Sequence, residues 1–370
     1  MKRNWDWNRL VMQALLFLMG MAVGLLAVID LHEMAQTQDL GRYLFSVAWL
    51  VVAAVLAIFG QLILHEGGHL VCGLATGYRF VSFRIGSWMV QREHGKLRFR
   101  KMTLAGTGGQ CLLAPPPLVE GKMPYVLYNL GGPLANLLTA AVCALGMQFC
   151  RNIWGLWVLL QLFAVVGVGM GLTNGIPLRG SVHNDGANAL SLGKDPAALR
   201  SLWVQLSINA RQAEGVRLKE MPEAWFALPT DAEMQNSMTA VLAVLRENRL
   251  MDAQRFDEAA ALIDQLNAAS TALMPLYNSL LLCDRLTCAL VRGEDAYEWL
   301  AEWETKPMRQ FRKQMQEFLA VLRTEYITAL HAGDTGAAET IHARFEQRSS
   351  SYPYPAEVQS ERELMECFIP

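Results

Sequence analysis

Charge is scarce in this sequence: Asp, Glu, Lys and Arg supply 18% of its 370 residues, against 52% for hydrophobic residues. Both values lie on the membrane side of ordinary soluble usage. No CxxC pair occurs, and the seven cysteines (Cys72, Cys111, Cys143, Cys150, Cys283, Cys288 and Cys367) are odd in number. That argues against a disulfide framework and reads most of them as small buried apolar residues in a reducing compartment. Long apolar runs are missing after residue 175, and a basic excess is missing from the second half. Residues 1–186 carry 14 Lys and Arg against 8 Asp and Glu, a net +6; residues 187–370 carry 18 against 26, a net −8. An acidic half argues against nucleic acid as a partner. The asymmetry predicts a membrane domain over 1–190 followed by an aqueous, cytoplasmic domain over 191–370.

Apolar runs of roughly 20 residues are long enough to cross a bilayer. Four such spans are predicted, at about 10–29, 44–64, 126–149 and 153–173. The first lacks a small-residue cleavage site and is long for a signal peptide, so it is read as a retained span. Lys2, Arg3 and Arg9 precede it, whereas the connection after it holds Arg42 and three acids. The connection after the second span holds Arg79, Arg84, Arg92, Lys96, Arg98, Arg100, Lys101 and Lys122. The positive-inside rule therefore puts both termini and the 77–124 loop in the cytoplasm. It also brings the end of the second span, the start of the third and the end of the fourth to one side. The short loops and the absence of a targeting extension make a bacterial plasma membrane the expected location.

The 77–124 loop alternates polar and apolar residues at Lys96–Arg100 and at Val81, Phe83 and Ile85, a period-2 pattern that predicts short strands. His94-Gly95 marks a turn between them, and the chain then passes through Gly106-Thr107-Gly108-Gly109. Small β-hairpins at the membrane face are expected; a basic loop attracted to anionic lipid is the plainer reading. Residues 187–370 read as soluble helices. Helix-turn-helix junctions recur at Gln254, Gly293 and Gly333. A period near 40 residues fits stacked, tetratricopeptide-like hairpins with a concave surface for a peptide or protein partner. A helical domain that packs only on itself is the alternative.

The second span ends in Leu64-His65-Glu66-Gly67-Gly68-His69. Positions i and i+4 share one face of a helix. Two imidazoles there can ligate one zinc ion, with the intervening carboxylate acting on a water at the metal. Ionisable residues at the end of an apolar helix are costly and usually functional; the plain alternative is that they only mark its interfacial end. Gly67 and Gly68 leave room for a close neighbour or a substrate backbone. A catalytic zinc usually takes three protein ligands and keeps one position open. Beyond the fourth span come Asn174-Gly175-Ile176-Pro177 and His183-Asn184-Asp185-Gly186. Asp185, on the predicted side of His65, is the chosen third ligand; His183 is the alternative, and an ordinary Asp-Gly turn is the plain reading. The third span holds Asn129-Leu130-Gly131-Gly132-Pro133-Leu134-Ala135-Asn136. Pro133 breaks a helix hydrogen bond, which is tolerated where protein or a cavity compensates. Asn136 offers an amide for substrate contact or for helix packing.

Together these elements resemble the site-2 protease family of intramembrane zinc metalloproteases, in which an HExxH helix is followed by a GPxxN helix and an NxxP segment leading to DG. Here they are His65–His69, Gly132–Asn136, Asn174–Pro177 and Asp185-Gly186, so the likeness covers roughly residues 44–190. The resemblance implies one zinc per chain on His65, His69 and Asp185, Glu66 as base and acid, and Asn136 as a substrate-positioning residue. Gly132, Pro133 and Asn174 are assigned with it to substrate binding. It also implies that the β-strand loop is membrane-associated. The segment from Pro177 to Asp185 is longer than the compact family form, with Arg179 and Gly180 inserted, and nothing resembles the PDZ or CBS modules of many members. The expected function is hydrolysis of peptide bonds in or near the spans of membrane-anchored proteins or peptide precursors. The alternatives are a catalytically silent membrane scaffold displaying the helical domain, and an anchored zinc protease of the aqueous type.

Overall fold

The computed structural model describes residues 7–35, 39–93, 95–102, 108–178, 183–269 and 271–368. His94, Gly106 and Thr107 of the expected loop turns, and Arg179 and Gly180, lie outside the described residues. The chain is mainly helical and divides into two units, Met1–Arg79 with Gly108–Cys111 and Lys122–Lys194, and Phe80–Thr107 with Leu112–Gly121 and Asp195–Pro370. The last of these divisions falls between Lys194 and Asp195, and most of the 77–124 loop clusters with the second unit. The reason is packing: Met89 and Met102 of that loop share a core with Leu319, Leu322, Phe345 and Tyr352.

The first unit contains α1 (Trp7–Ala35), α2 (Leu40–Ala75), α3 (Val126–Gly146), α4 (Trp154–Gly175) and the short α5 (Asp185–Ser191). The first four are long and apolar enough to cross a membrane. Asp39 starts α2 by accepting the Arg42 amide at 3.1 Å, which satisfies one of the donors a helix start leaves over. Leu50, Ala53 and Ala57 of α2 interlock with Val158, Leu162 and Val166 of α4. The outward faces stay apolar, with Phe17, Val28 and Leu138 all more than half exposed, a surface that lipid solvates and water does not. The helix that carries the second expected span continues past Leu64: α2 runs 36 residues to Ala75, and the HExxH motif lies inside it. At 1.5 Å per residue that is about 54 Å, well beyond a hydrocarbon core of about 30 Å.

Most of a four-stranded sheet and nine α-helices belong to the second unit among the described residues. The strands are β1 (Arg79–Ile85), β2 (Trp88–Glu93), β3 (Lys96–Lys101) and β4 (Gly109–Ala114), in the order β3-β2-β1-β4. The β1–β2 and β2–β3 pairs are antiparallel, with Phe83 opposite Val90 and Val90 opposite Phe99. Alternation puts Met89 and Gln91 on the face covered by helices, where Gln91 donates to the Pro353 carbonyl at 2.8 Å. Trp88, Leu97 and Phe99 share the opposite face and are 62%, 62% and 79% exposed.

The helices of this unit are α6 (Pro196–Ala213), α7 (Ser237–Asp252), α8 (Phe256–Ala268), α9 (Pro275–Arg292), α10 (Tyr297–Trp303), α11 (Lys306–Gln314), α12 (Leu319–His331), α13 (Thr335–Ser349) and α14 (Pro355–Glu366). The three junction residues singled out above are all left-handed, with φ of 56° at Gln254, 67° at Gly293 and 73° at Gly333. Each is followed by the same closing bond: Arg255 amide to Leu250 carbonyl, Glu294 to Ala289, and Asp334 to Ala329. This is the Schellman ending of a helix, which favours glycine because other residues pay for positive φ. Gln254→Gly should therefore raise stability by about 1 kcal/mol and Gly293→Ala lower it by about as much, read as shifts in Tm of the full-length protein. An unchanged or lower Tm for Gln254→Gly would contradict the strain assigned to that position.

Buried ion pairs join these helices. Arg323 bridges Asp284 and Glu361, and Arg217 bridges Asp252 and Glu363. Burial pushes the carboxyls of Glu357 and Glu361 up to about 7. A carboxyl whose pKa is raised by folding stabilises the fold below its ordinary value, and that stability is lost as pH rises through the folded pKa. The unit should therefore melt at a higher temperature near about pH 5.5 than near about pH 8. The double variant Glu357→Gln, Glu361→Gln should flatten this slope, and a wild-type slope of opposite sign would refute the assignment.

Candidate metal centre

The spacing of four in His65 and His69 puts both rings on one face of α2, turned toward α3. What lets them in is a backbone contact. A Cβ on Gly68 would lie 2.1 Å from the Gly131 carbonyl oxygen, and one on Gly131 would lie 2.4 Å from that of Gly68. Only glycine at both positions allows this approach. Gly132 then faces the rings, its missing Cβ 2.5 Å from His69 Nε2 and 2.6 Å from His65 Cε1. Gly67 meets nothing within 4 Å, so the room expected at the two glycines is used at Gly68.

Asp185 reaches the same point from the other side. Asn184 caps α5, its Oδ1 accepting the Ala187 amide at 3.0 Å and the Leu178 amide at 3.1 Å. Its Nδ2 donates to the Thr173 and Ile176 carbonyls at 2.8 and 2.7 Å, tying α5 to the end of α4. Gly186 completes the fit, because a Cβ there would fall 2.1 Å from the Gly175 carbonyl oxygen. The Asp185 carboxylate oxygen Oδ2 lies 3.2 Å from His65 Nε2 and 3.4 Å from His69 Nε2, and the two Nε2 atoms are 3.2 Å apart.

This triangle fits one small cation. Ligand atoms at about 2.0–2.1 Å from a tetrahedral zinc are separated by roughly 3.3 Å. Both Nδ1 atoms are engaged elsewhere, His65 with Asn136 Oδ1 and His69 with the Tyr128 carbonyl, each at 2.7 Å. An Nδ1–H held in this way leaves the Nε2 lone pair for a metal. Three lone-pair donors then converge in a buried place, and only a cation, or protons taken up by the imidazoles, relieves their repulsion. His183 is not part of the group.

Glu66 is buried beside this group, and its carboxylate accepts a hydrogen bond from the Cys111 backbone amide. Gly109 makes room, since a Cβ there would lie 2.8 Å from Glu66 Oε1. The other expected residues are more dispersed. Asn136 is fully buried against His65. Pro133 is buried and packs near Gly175, whose Cβ would sit 3.3 Å from it. Asn174 is half-buried and bonds back to the Met170 carbonyl at 3.0 Å.

Comparison with protein-family models, curated proteins and solved structures finds no match to this chain. Contributors that escaped the sequence reading are Asn184, the Tyr128 carbonyl and the Cys111 amide. Asn184 was legible, since Asn directly before an Asp-Gly helix start is a favoured cap. The Tyr128 carbonyl carries no side-chain signal at all.

The cradle gives a test. Gly132→Ala should abolish metal retention, because its Cβ would lie 2.5 Å from His69 Nε2 and 2.7 Å from His65 Nε2 and push both rings aside, whereas Gly67→Ala should retain it. Metal per chain in protein purified in detergent decides; full retention by Gly132→Ala would rule out the proposed seat.

Proposed function

We propose that this protein is a zinc-dependent intramembrane endopeptidase, hydrolysing peptide bonds in or near the spans of membrane-anchored proteins or peptide precursors. The observation that carries the reading is the convergence of His65 Nε2, His69 Nε2 and an Asp185 oxygen within 3.4 Å of one another, with Glu66 alongside. This occurs inside a helix apolar enough to cross a membrane. The motif order shared with the site-2 protease family supports the same reading.

His65, His69 and Asp185 would hold one zinc ion, which when bound supplies a Lewis acid and lowers the pKa of water. Glu66 takes a proton from the attacking water and returns it to the leaving amine. The Cys111 amide holds one end of that carboxylate, which limits its rotation while the proton moves. The Asp185 side chain, 23% exposed, marks the side from which water would reach the otherwise buried group. A substrate amide within a helix is hydrogen-bonded and shielded, so the substrate must unwind locally, and helix-destabilising residues are expected near the cleaved bond. The charge pattern assigns both termini and the helical unit to the cytoplasmic side of the membrane. The exposed Trp88, Leu97 and Phe99, edged by Lys96 and Lys101, suit a lipid headgroup region. The helical hairpins are assigned as a repeat-like surface for a peptide or protein partner.

The test is co-expression with a panel of tagged single-span substrates, comparing wild type with Glu66→Gln. Cleavage within the span by the wild type alone is the expected result. Cleavage confined to residues outside the span would favour an anchored protease of the aqueous type. Loss of zinc retention in His65→Ala is expected in parallel. A wild type that holds no zinc and cuts nothing would favour a membrane scaffold.

A further inference from the structure

Two buried carboxamides run away from the metal-binding group. Gln61 lies on α2 one turn before His65, and Asn136 lies on α3; both are fully buried. Gln61 Nε2 donates to the Phe163 carbonyl of α4 at 2.8 Å. Asn136 Nδ2 donates to the Gln61 carbonyl at 2.8 Å and to Gln61 Oε1 at 2.7 Å. Asn136 Oδ1 meets His65 Nδ1 at 2.7 Å.

The direction of this chain is fixed from its far end. A main-chain carbonyl can only accept, so the Gln61 amide nitrogen must face Phe163, and its oxygen must face Asn136. The two oxygens of Gln61 then require the nitrogen of Asn136, which leaves the Asn136 oxygen toward His65. An oxygen there requires hydrogen on Nδ1. The imidazole is thereby held in the tautomer whose Nε2 lone pair points at Asp185 and His69. Gly167 of α4 makes the chain possible, because a Cβ there would fall 2.5 Å from Gln61 Nε2 and 2.9 Å from the Asn136 carbonyl oxygen.

We propose that Gln61 and Asn136 are positioning residues that fix the tautomer and ring orientation of His65 by a relay anchored on the Phe163 carbonyl, with Asn136 serving the imidazole rather than the substrate. The inference rests on the metal reading of the preceding subsection. Gln61 touches neither the imidazole nor the other two ligands, so it acts only through Asn136. Partners of this kind behind a metal-binding histidine typically contribute 10–100-fold to metal affinity.

The test measures zinc affinity of full-length protein in detergent by competition with a chromophoric chelator, without any substrate. Asn136→Leu, which keeps the volume but removes the acceptor, should weaken binding by about 10–100-fold. Asn136→Asp keeps an acceptor toward Nδ1 but turns its second oxygen onto the two Gln61 oxygens, so it too should bind more weakly than wild type. Gln61→Leu should weaken binding, and the Gln61→Leu, Asn136→Leu pair should bind no worse than Asn136→Leu alone, since both cut one relay. The absorption of the cobalt-substituted protein should change in Asn136→Leu and in Gln61→Leu. Wild-type affinity in both Asn136→Leu and Gln61→Leu, with binding lost in His65→Ala, would overturn the relay and leave the metal centre standing. An unchanged cobalt spectrum in Asn136→Leu would overturn it too. A wild type that binds no zinc would overturn the metal reading and the relay together.

Discussion

The backbone contact between Gly68 and Gly131 governs the first unit, with its four long apolar helices. With any side chain at either place α2 and α3 would stand apart, and nothing else in the centre could form. At this separation two stripes face each other in opposite directions. Gln61, His65 and His69 lie along α2 at intervals of four residues, and Asn136, Gly132 and Tyr128 lie along α3 at the same interval. Asn136 meets His65, Tyr128 meets His69, and Gly132 leaves the gap into which both rings lean. Helical spacing supplies the two stripes, and the glycines decide that they touch.

A polar group in apolar surroundings costs several kcal/mol unless it finds a partner. Along this seam the requirement is met by closure: each donor of Gln61 and Asn136 ends on an oxygen, and the chain stops at a main-chain carbonyl. That closure turns a packing solution into a chemical one, because it determines which nitrogen of His65 is free. Asp185 arrives by the same economy of space, with Gly186 against the Gly175 carbonyl and Asn184 holding four backbone groups.

The two units treat charge differently. The long apolar helices of the first carry little of it, and His65, Glu66 and His69 of α2 meet Asp185 at one point. The second buries arginine–carboxylate pairs between helices, where Arg217 and Arg323 each satisfy two acids. Buried pairs of this kind add little net stability over apolar packing, but losing one partner is costly. They fix which helices meet. The left-handed junctions at Gln254, Gly293 and Gly333 do the same for the turns between helices.

The sequence by itself determined what depends on local order. Apolar runs located the four long helices, because a helix needs only its own residues to satisfy its backbone. Alternation marked the strands β1 and β3, and turn residues marked three helix ends. The i, i+4 spacing put His65 and His69 on one face, and a carboxylate beyond the fourth helix was legible as Asp185. Tertiary structure alone decided the rest. That α2 continues to Ala75 follows from its packing against α3, which tolerates the two glycines. That the strand-rich loop clusters with the second unit follows from Met89 and Met102 finding their core there. Which face of α3 meets the histidines, which oxygen holds each Nδ1, and how Gln61 enters the chain are matters of distance between elements far apart in sequence. No local pattern encodes those distances; they are set where backbones without side chains come into contact.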